Sequence, residues 1–281
     1  MSVVHLNGEF MPLEEAKVPV LDRGFIYGDG IYELIPVYAG KPFRLKEHLA
    51  RLQRSLDAIR LANPHSDAEW TALIDAMIAR NESGNSYVYF QITRGVAKRD
   101  HAFPKDTPPT VFMMASPLPT PPSEQVENGV ACVTMQDNRW LRCDIKTISL
   151  LGNVLLRQAA LDAGGMEAVM FRDGFLTEGS ASNILVASGG KLLAPPKDHL
   201  ILPGITYDLV LELDAKYGVP FEVRAITEAE VRAADELMLT SSTKEVLAIS
   251  QLDGQPVGNG KPGPIFRQLH RLYQDYKTRA C

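Results

Sequence analysis

An α+β fold in two domains is what the sequence predicts, on three observations. Strand-period and helix-period segments are interleaved without the strict alternation of a doubly wound parallel sheet. The segment S-P-L-P-T-P-P-S at 116–123 packs four prolines into eight residues, and such a run neither continues a helix nor sits inside a sheet. Apolar patterning resumes on both sides of it. The expected division is a small N-terminal domain at 1–116, a proline-rich linker at 117–123 and a larger C-terminal domain at 124–281.

The elements follow in order. V-V-H-L at 3–6 runs into Asn7-Gly8, a dipeptide suited to a type I′ hairpin because both positions tolerate positive φ. A second strand is expected at 32–38. Leu45, Leu49, Leu52, Leu56 and Ile59 recur at steps of three and four, which puts them on one helix face. Ser66-x-x-Glu69 is a capping box opening a second helix through about Glu82. Strands are expected at 87–94 and 110–115. In the second half, strands are expected at 130–135, 168–171, 183–187, 192–194 and 236–240, with an extended stretch at 221–226. Helices are expected at 150–163 and 205–217. Thr227-x-x-Glu230 caps a short helix, and a terminal helix spans 264–279 with Ile265, Leu269, Leu272 and Tyr276 on its buried face.

Composition narrows the function classes. Hydrophobic residues are 45% and charged residues 22%, enough apolar material for a packed core. Acidic residues outnumber basic ones by 34 to 29, a net charge of −5, so nothing draws the whole chain to nucleic acid or an anionic membrane. Three cysteines without C-x-x-C spacing make neither a disulfide framework nor a zinc ribbon, and the scattered histidines suggest no metal site. The start, MSVVHLNGEF, has no basic n-region and no apolar h-region, so a cytoplasmic protein is the expectation.

The dinucleotide, P-loop, zincin and hydrolase motifs are all missing, but three other features combine. Lys146 follows R-W-L-R-C-D-I and precedes T-I-S-L-L. An apolar setting favours the neutral amine, which is the form a Schiff-base nucleophile needs. A lysine beside leucines also snorkels to water, so Lys146 alone decides nothing. Glu178 lies in T-E-G-S-A-S-N at 177–183 and reads as a carboxylate in a turn of small residues. L-P-G-I-T at 202–206 leads into a helix, whose free N–H groups suit a phosphate. An amine, an acid and a phosphate cradle are what pyridoxal phosphate requires of a protein.

On these motifs, together with D-R-G-F-I-Y-G-D-G-I-Y-E at 22–33, E-H-L-A-R-L at 47–52, R-W-L-R-C-D-I-K at 139–146 and L-L-G-N-V at 150–154, the chain resembles the class IV, fold-type IV, pyridoxal-phosphate aminotransferases over essentially its full length. The resemblance implies a small N-terminal α/β sandwich, a larger C-terminal pseudo-barrel domain and a homodimer with shared active sites. It implies that Lys146 carries the cofactor and moves the proton at the substrate Cα. By the same carry-over Glu178 pairs with the pyridine nitrogen. Arg51, Ile205, Thr206 and Ser242 hold the phosphate, two of them through backbone N–H. Read without the family, Arg51 is a solvated helix arginine, and Ser241 and Thr243 compete with Ser242.

Activities within the family differ in how they hold the substrate. In T-R-G-V-A-K-R-D-H-A-F-P at 93–104, Arg99 and His101 are two apart and in an extended loop point the same way. Arginine offers a planar fork for a carboxylate, and Tyr32 adds a phenolic donor. The D-amino-acid transaminases of this family use an Arg-x-His pair reaching from the neighbouring subunit, with this tyrosine, as a carboxylate trap. The implied reaction is ping-pong transfer of an amino group between D-alanine, D-glutamate or D-aspartate and 2-oxoglutarate or pyruvate. R-selective amine transamination, branched-chain amino-acid transamination and aminodeoxychorismate lysis are the alternatives on the same fold, and a non-catalytic cofactor carrier is the alternative of another class. Leu34, two residues from Tyr32 on the same strand, is expected to narrow the side-chain pocket.

Overall fold

In the computed structural model, which describes residues 2–81 and 84–281, the chain forms two units. The first comprises Met1–Pro119, Ile145–Leu150 and Cys281, and the second Thr120–Asp144 and Leu151–Ala280. The short segment bearing Lys146 therefore packs with the N-terminal elements, although it lies beyond the proline-rich stretch in sequence.

The first unit contains β1 (Val3–Leu6), β2 (Glu9–Pro12), α1 (Arg23–Tyr27), β3 (Gly30–Tyr38), β4 (Lys41–Pro42), α2 (Leu45–Ala58), α3 (Asp67–Arg80), β5 (Ser86–Thr93) and β6 (Thr110–Pro117). Asn7 and Gly8 both take positive φ, at 50° and 96°, as the predicted hairpin turn demands. The six strands pair antiparallel in the order β2-β1-β6-β5-β3-β4. Leu49, Leu52 and Leu56 of α2 and Trp70, Ile74 and Met77 of α3 bury against Ile31, Ile35, Val88 and Phe90 of the sheet, so the predicted stripe is the core-facing side of α2. The capping box at Ser66 and Glu69 forms in full. The helix it opens ends at Arg80, and the predicted end near Glu82 lies outside the described residues.

Strand β6 runs two residues past its predicted end at 115, into the proline-rich stretch. Pro117 still pairs opposite Ser86 at the last position of β6, where a missing N–H removes no interior ladder bond. Pro122 then precedes α4 (Ser123–Asn128).

The second unit continues with β7 (Val130–Gln136), α5 (Leu151–Asp162), β8 (Glu167–Arg172), β9 (Phe175–Gly179), β10 (Asn183–Ser188), β11 (Lys191–Ala194), α6 (Ile205–Tyr217), β12 (Phe221–Val223), α7 (Glu228–Arg232), β13 (Glu236–Ser241), β14 (Glu245–Leu252), β15 (Gln255–Pro256) and α8 (Pro264–Ala280). Its strands run β12-β11-β10-β13-β14-β7-β8-β9, with β15 on β14, in one curled, half-barrel sheet. Three pairs, β11/β12, β14/β7 and β7/β8, are parallel. Val169, Ile184, Val186, Leu237, Leu239 and Leu247 form the core.

Three sequence expectations change here. Thr177 and Glu178 are in strand β9, not in a turn. β14 is not among the expected strands, because an apolar run such as V-L-A-I does not declare its period. The buried face of α8 consists of Phe266, Leu269, Leu272 and Tyr273, rotated from the predicted one, with Ile265 and Tyr276 half-buried. Among the described residues no helix is long and apolar enough to cross a membrane.

Candidate functional site

The first unit holds Tyr32, Arg51, Arg99, His101 and Lys146. The Lys146 segment lies along β3 like an incomplete extra strand. The Tyr32 N–H donates to the Lys146 carbonyl at 2.9 Å and the Ile148 N–H to the Gly30 carbonyl at 3.1 Å. The Lys146 N–H donates to Ser55 Oγ at 3.3 Å. Backbone bonds thus fix the lysine on both sides, and its Nζ sits 4.0 Å from the centroid of the Tyr32 ring. Gly28 and Gly30 allow this approach: a Cβ on Gly28 would stand 3.2 Å from Ser149 Cα and one on Gly30 3.0 Å from Ile148 Cδ1, and Gly28 takes a φ of +65°.

Glu33, on the opposite face of β3 from Tyr32, is fully buried. Its carboxylate accepts from Arg51 Nε at 2.7 Å and Nη2 at 2.8 Å, and pairs with His48 Nδ1 at 2.8 Å. Burial alone would raise this carboxyl, but Arg51 and His48 hold it well below the usual carboxylate range. Arg51 is 3% exposed, so it is a positioned interior guanidinium and not the solvated helix residue that the sequence also allowed. Glu33 and His48 do not stand out as its partners in the sequence. A signal is nonetheless present, since His48 and Arg51 are spaced i, i+3 on a helix that packs on β3.

Arg99 and His101 are exposed and gather at one aromatic ring. Arg99 Cζ is 5.7 Å from the Tyr27 ring centroid, and the His101 ring is 5.5 Å from it. The two side chains therefore share a side of their loop, as their spacing predicts.

The second unit holds Glu178, Ile205, Thr206 and Ser242. Glu178 is buried and fully engaged: it accepts from Arg139 Nη1 at 2.6 Å, Asn183 Nδ2 at 3.1 Å and the Leu202 N–H at 3.0 Å. Arg139 is in turn fixed by Asp137, with Nε to Oδ1 and Nη2 to Oδ2 both at 2.9 Å. Asp137 also accepts from the Thr177 hydroxyl at 2.9 Å. Burial pushes Glu178 up to about 7, while Arg139 pulls the other way. Desolvation would lower the Arg139 guanidinium, but Asp137 and Glu178 raise it. A guanidinium cannot shed its proton in a protein, so Arg139 favours the ionised form of Glu178 against the effect of burial.

Glu167 ties together two further loops. It accepts from the Ser180 N–H at 3.1 Å, from the Ser180 hydroxyl, from Ser182 Oγ at 3.0 Å and from Lys244 Nζ at 2.9 Å. The Lys244 N–H donates to Ser241 Oγ at 3.1 Å, which closes the turn carrying Ser242. Helix α6 starts at Gly204 without a side-chain cap, and Ile205 and Thr206 are buried there. The Thr240 hydroxyl, next to that turn, is buried with no hydrogen-bond partner among the described residues. The sequence does not single out Arg139, Asn183, Glu167 or Lys244. Arg139 and Asn183 lie within the motifs that do stand out, but nothing in their spacing reveals a shared carboxylate.

A curled mixed sheet with a buried acid held by arginine, and a lysine seated on an aromatic ring, occur here within one recognisable sequence pattern: residues 30–252 match the family model of the class IV aminotransferases, and the chain belongs to that family. Among individual proteins, it is 40% identical over 272 residues to a D-alanine aminotransferase of Bacillus licheniformis, covering 97% of this chain and 96% of that one. Two solved structures are close in fold. The branched-chain amino acid aminotransferase of Escherichia coli superposes with a TM-score of 0.91 at 25% identity, over 96% of this chain and 92% of that one. The branched-chain amino acid aminotransferase of T.th, complexed with N-(5'-phosphopyridoxyl)-L-glutamate, gives 0.90 at 27% identity, over 99% and 95%.

Proposed function

We propose that this chain is a pyridoxal-phosphate-dependent D-amino-acid transaminase. It moves the amino group of D-alanine, D-glutamate or D-aspartate to 2-oxoglutarate or pyruvate in two half-reactions. The observation that carries the reading is the Arg99 and His101 pair, drawn to the same side of its loop at Tyr27, in a chain that resembles D-alanine aminotransferases from end to end.

The residues present fit the cofactor. Glu178 is a buried acid with a fixed counter-ion, α6 begins with an uncapped, buried turn, and the Thr240 hydroxyl lacks a partner among the described residues. Pyridoxal phosphate, when bound, supplies an aldehyde for the amino group and a ring that accepts the charge left at Cα. Lys146 would take the proton from the substrate Cα and deliver it to the carbon that bore the cofactor's aldehyde, so that the amino group stays on the cofactor, from a backbone held against β3. Glu178 holds a proton on the ring nitrogen. The N–H groups of Ile205 and Thr206, with Arg51 and Ser242, bind the phosphate. Arg99, His101 and the Tyr32 phenol hold the substrate carboxylate, and the side from which they hold it decides which enantiomer offers its Cα–H to Lys146.

The active form in this reading is a homodimer in which Arg99 and His101 serve the partner's site. The exposed apolar residues Leu151, Val154 and Leu155 on α5 supply a face for a second copy.

A half-reaction panel tests the proposal. The holoenzyme is mixed with D- and L-forms of alanine, glutamate, aspartate and leucine, and with R-1-phenylethylamine, while the cofactor absorbance is followed. Conversion by the D-acids is expected. Faster conversion by L-leucine would replace the reading with branched-chain transamination, and conversion confined to the amine would replace it with amine transamination.

A further inference from the structure

The loop that bears Arg99 and His101 is exposed, yet it is held at more points than an exposed loop needs. Arg23, the first residue of α1, is 4% exposed. Its Nη1 donates to the Asp100 carbonyl at 2.6 Å and to the Ala102 carbonyl at 3.3 Å, the two carbonyls that flank His101. Its Nε donates to Asp29 Oδ2 at 2.7 Å. Arg94 Nε donates to the same oxygen at 2.9 Å, and its Nη2 donates to the Ile59 carbonyl at 2.7 Å. Phe103 then closes the loop. Its ring lies 3.7 Å from Arg94 Cζ and 4.8 Å from Arg60 Cζ, although the residue is 45% exposed. The Ala102 N–H donates to Asp100 Oδ1 at 3.1 Å, which shapes the turn between these two anchors.

From this geometry we propose that Arg23 and Phe103 are positioning residues for the substrate carboxylate. They hold residues 99–102 in the shape that presents Arg99 and His101 together before substrate arrives. The proposal rests on the reading of Arg99 and His101 as the carboxylate donors. The physical reason is preorganisation. Two long side chains on a free loop lose conformational freedom when a small anion binds, and that loss is subtracted from affinity. With both carbonyls around His101 fixed by one buried guanidinium, and the loop end fixed by a ring against two more, most of that ordering is already present in the free protein. A carboxylate of either half-reaction, amino acid or 2-oxo acid, gains equally.

The test uses holoenzyme with Phe103→Leu, Phe103→Tyr and Arg23→Lys, beside Arg99→Ala. Leucine keeps apolar bulk without a ring face; tyrosine keeps the face; lysine keeps the charge but cannot span two carbonyls. KM and kcat for D-alanine and pyruvate are measured, with amide hydrogen exchange of residues 99–102. For Phe103→Leu, KM for both substrates is expected to rise about ten-fold, with a smaller change in kcat, faster exchange at 99–102, and recovery of both in Phe103→Tyr. Arg23→Lys is expected to act in the same direction; should it fail to fold, the Phe103 pair still decides. If Arg99→Ala raises KM while Phe103→Leu speeds exchange and leaves KM unchanged, the positioning role is overturned and the carboxylate reading stands. If exchange at 99–102 does not respond to Phe103→Leu, the clamp itself is overturned. If Arg99→Ala leaves KM for both substrates unchanged, the carboxylate reading fails, and the positioning role with it.

Discussion

Arg139 decides what Glu178 can do. A buried carboxyl left to itself becomes neutral, and burial already carries Glu178 to about 7 against the pull of Arg139. Replacing Arg139 with Met removes that pull, so the Glu178 value rises further and the acid is protonated at neutral pH. In its proposed role Glu178 acts in the ionised form, so the half-reaction rate in Arg139→Met is expected to fall at pH 7 and to recover as pH rises, its midpoint displaced upward from wild type. A pH profile of single-turnover rates with D-alanine checks this; an unshifted profile would remove Arg139 from the role. Glu178→Gln cannot ionise at any pH, so its slow rate is expected to stay flat across the same range. At Lys146 the expectation is simpler. Lys146→Ala deletes the group proposed to move the Cα proton, and acid–base catalysis alone is worth about 10²–10⁴-fold. The loss should be at least that large, with the fold unchanged by circular dichroism.

At the scale of the element, α6 carries a feature that the proposed chemistry does not use. Asp214 is fully buried near the C-terminal end of the helix, and neither carboxylate oxygen has a hydrogen-bond partner among the described residues. The helix dipole adds to the disadvantage of an anion there. Burial pushes Asp214 up from 3.8 to about 7. Since the folded value lies above the unfolded one, the stability this group contributes is complete below about 3.8 and is lost as pH rises to about 7. That displacement bounds the loss at about 4 kcal/mol. Asp214→Asn, which keeps the shape and cannot ionise, is expected to match wild type in denaturant titrations at pH 4 and to exceed it at pH 8. Equal stabilities at both pH values would show that the site relaxes around the charge.

For the whole molecule, the proposed sharing of sites between subunits makes a prediction that no single chain can test. An Arg99→Ala chain keeps its own Lys146, and a Lys146→Ala chain keeps its own Arg99. If Arg99 serves the partner's site, a mixed dimer of the two holds one site with neither lesion and one with both. Activity towards D-alanine is expected to appear on mixing the two weak parents. A mixture no more active than its parents would place Arg99 in the site of its own chain.

Local patterns are legible wherever one short stretch carries the whole signal. The Asn7-Gly8 turn, the leucine stripe of α2 and the capping boxes at Ser66 and Thr227 each need only neighbours within a few residues, and all form as read. The family is legible for the same reason, since its motifs are contiguous strings with Lys146 and Glu178 inside them. Glu178 as a strand residue is not legible, because L-T-E-G alternates poorly and becomes a strand only by pairing with β8. The rotation of α8 is not legible either: Glu236 accepts from the Ile265 and Phe266 N–H groups at 2.9 Å, and that long-range anchor sets which face turns inward. Motif, period and reaction class are properties of the chain read in order, so they are visible before any folding is considered. Which groups meet is settled by packing: Glu33 with Arg51, Arg139 with Glu178, and Arg23 with the carbonyls around His101. Each of those pairs joins residues far apart along the chain, and a buried charge takes whatever partner the packing brings within hydrogen-bond distance.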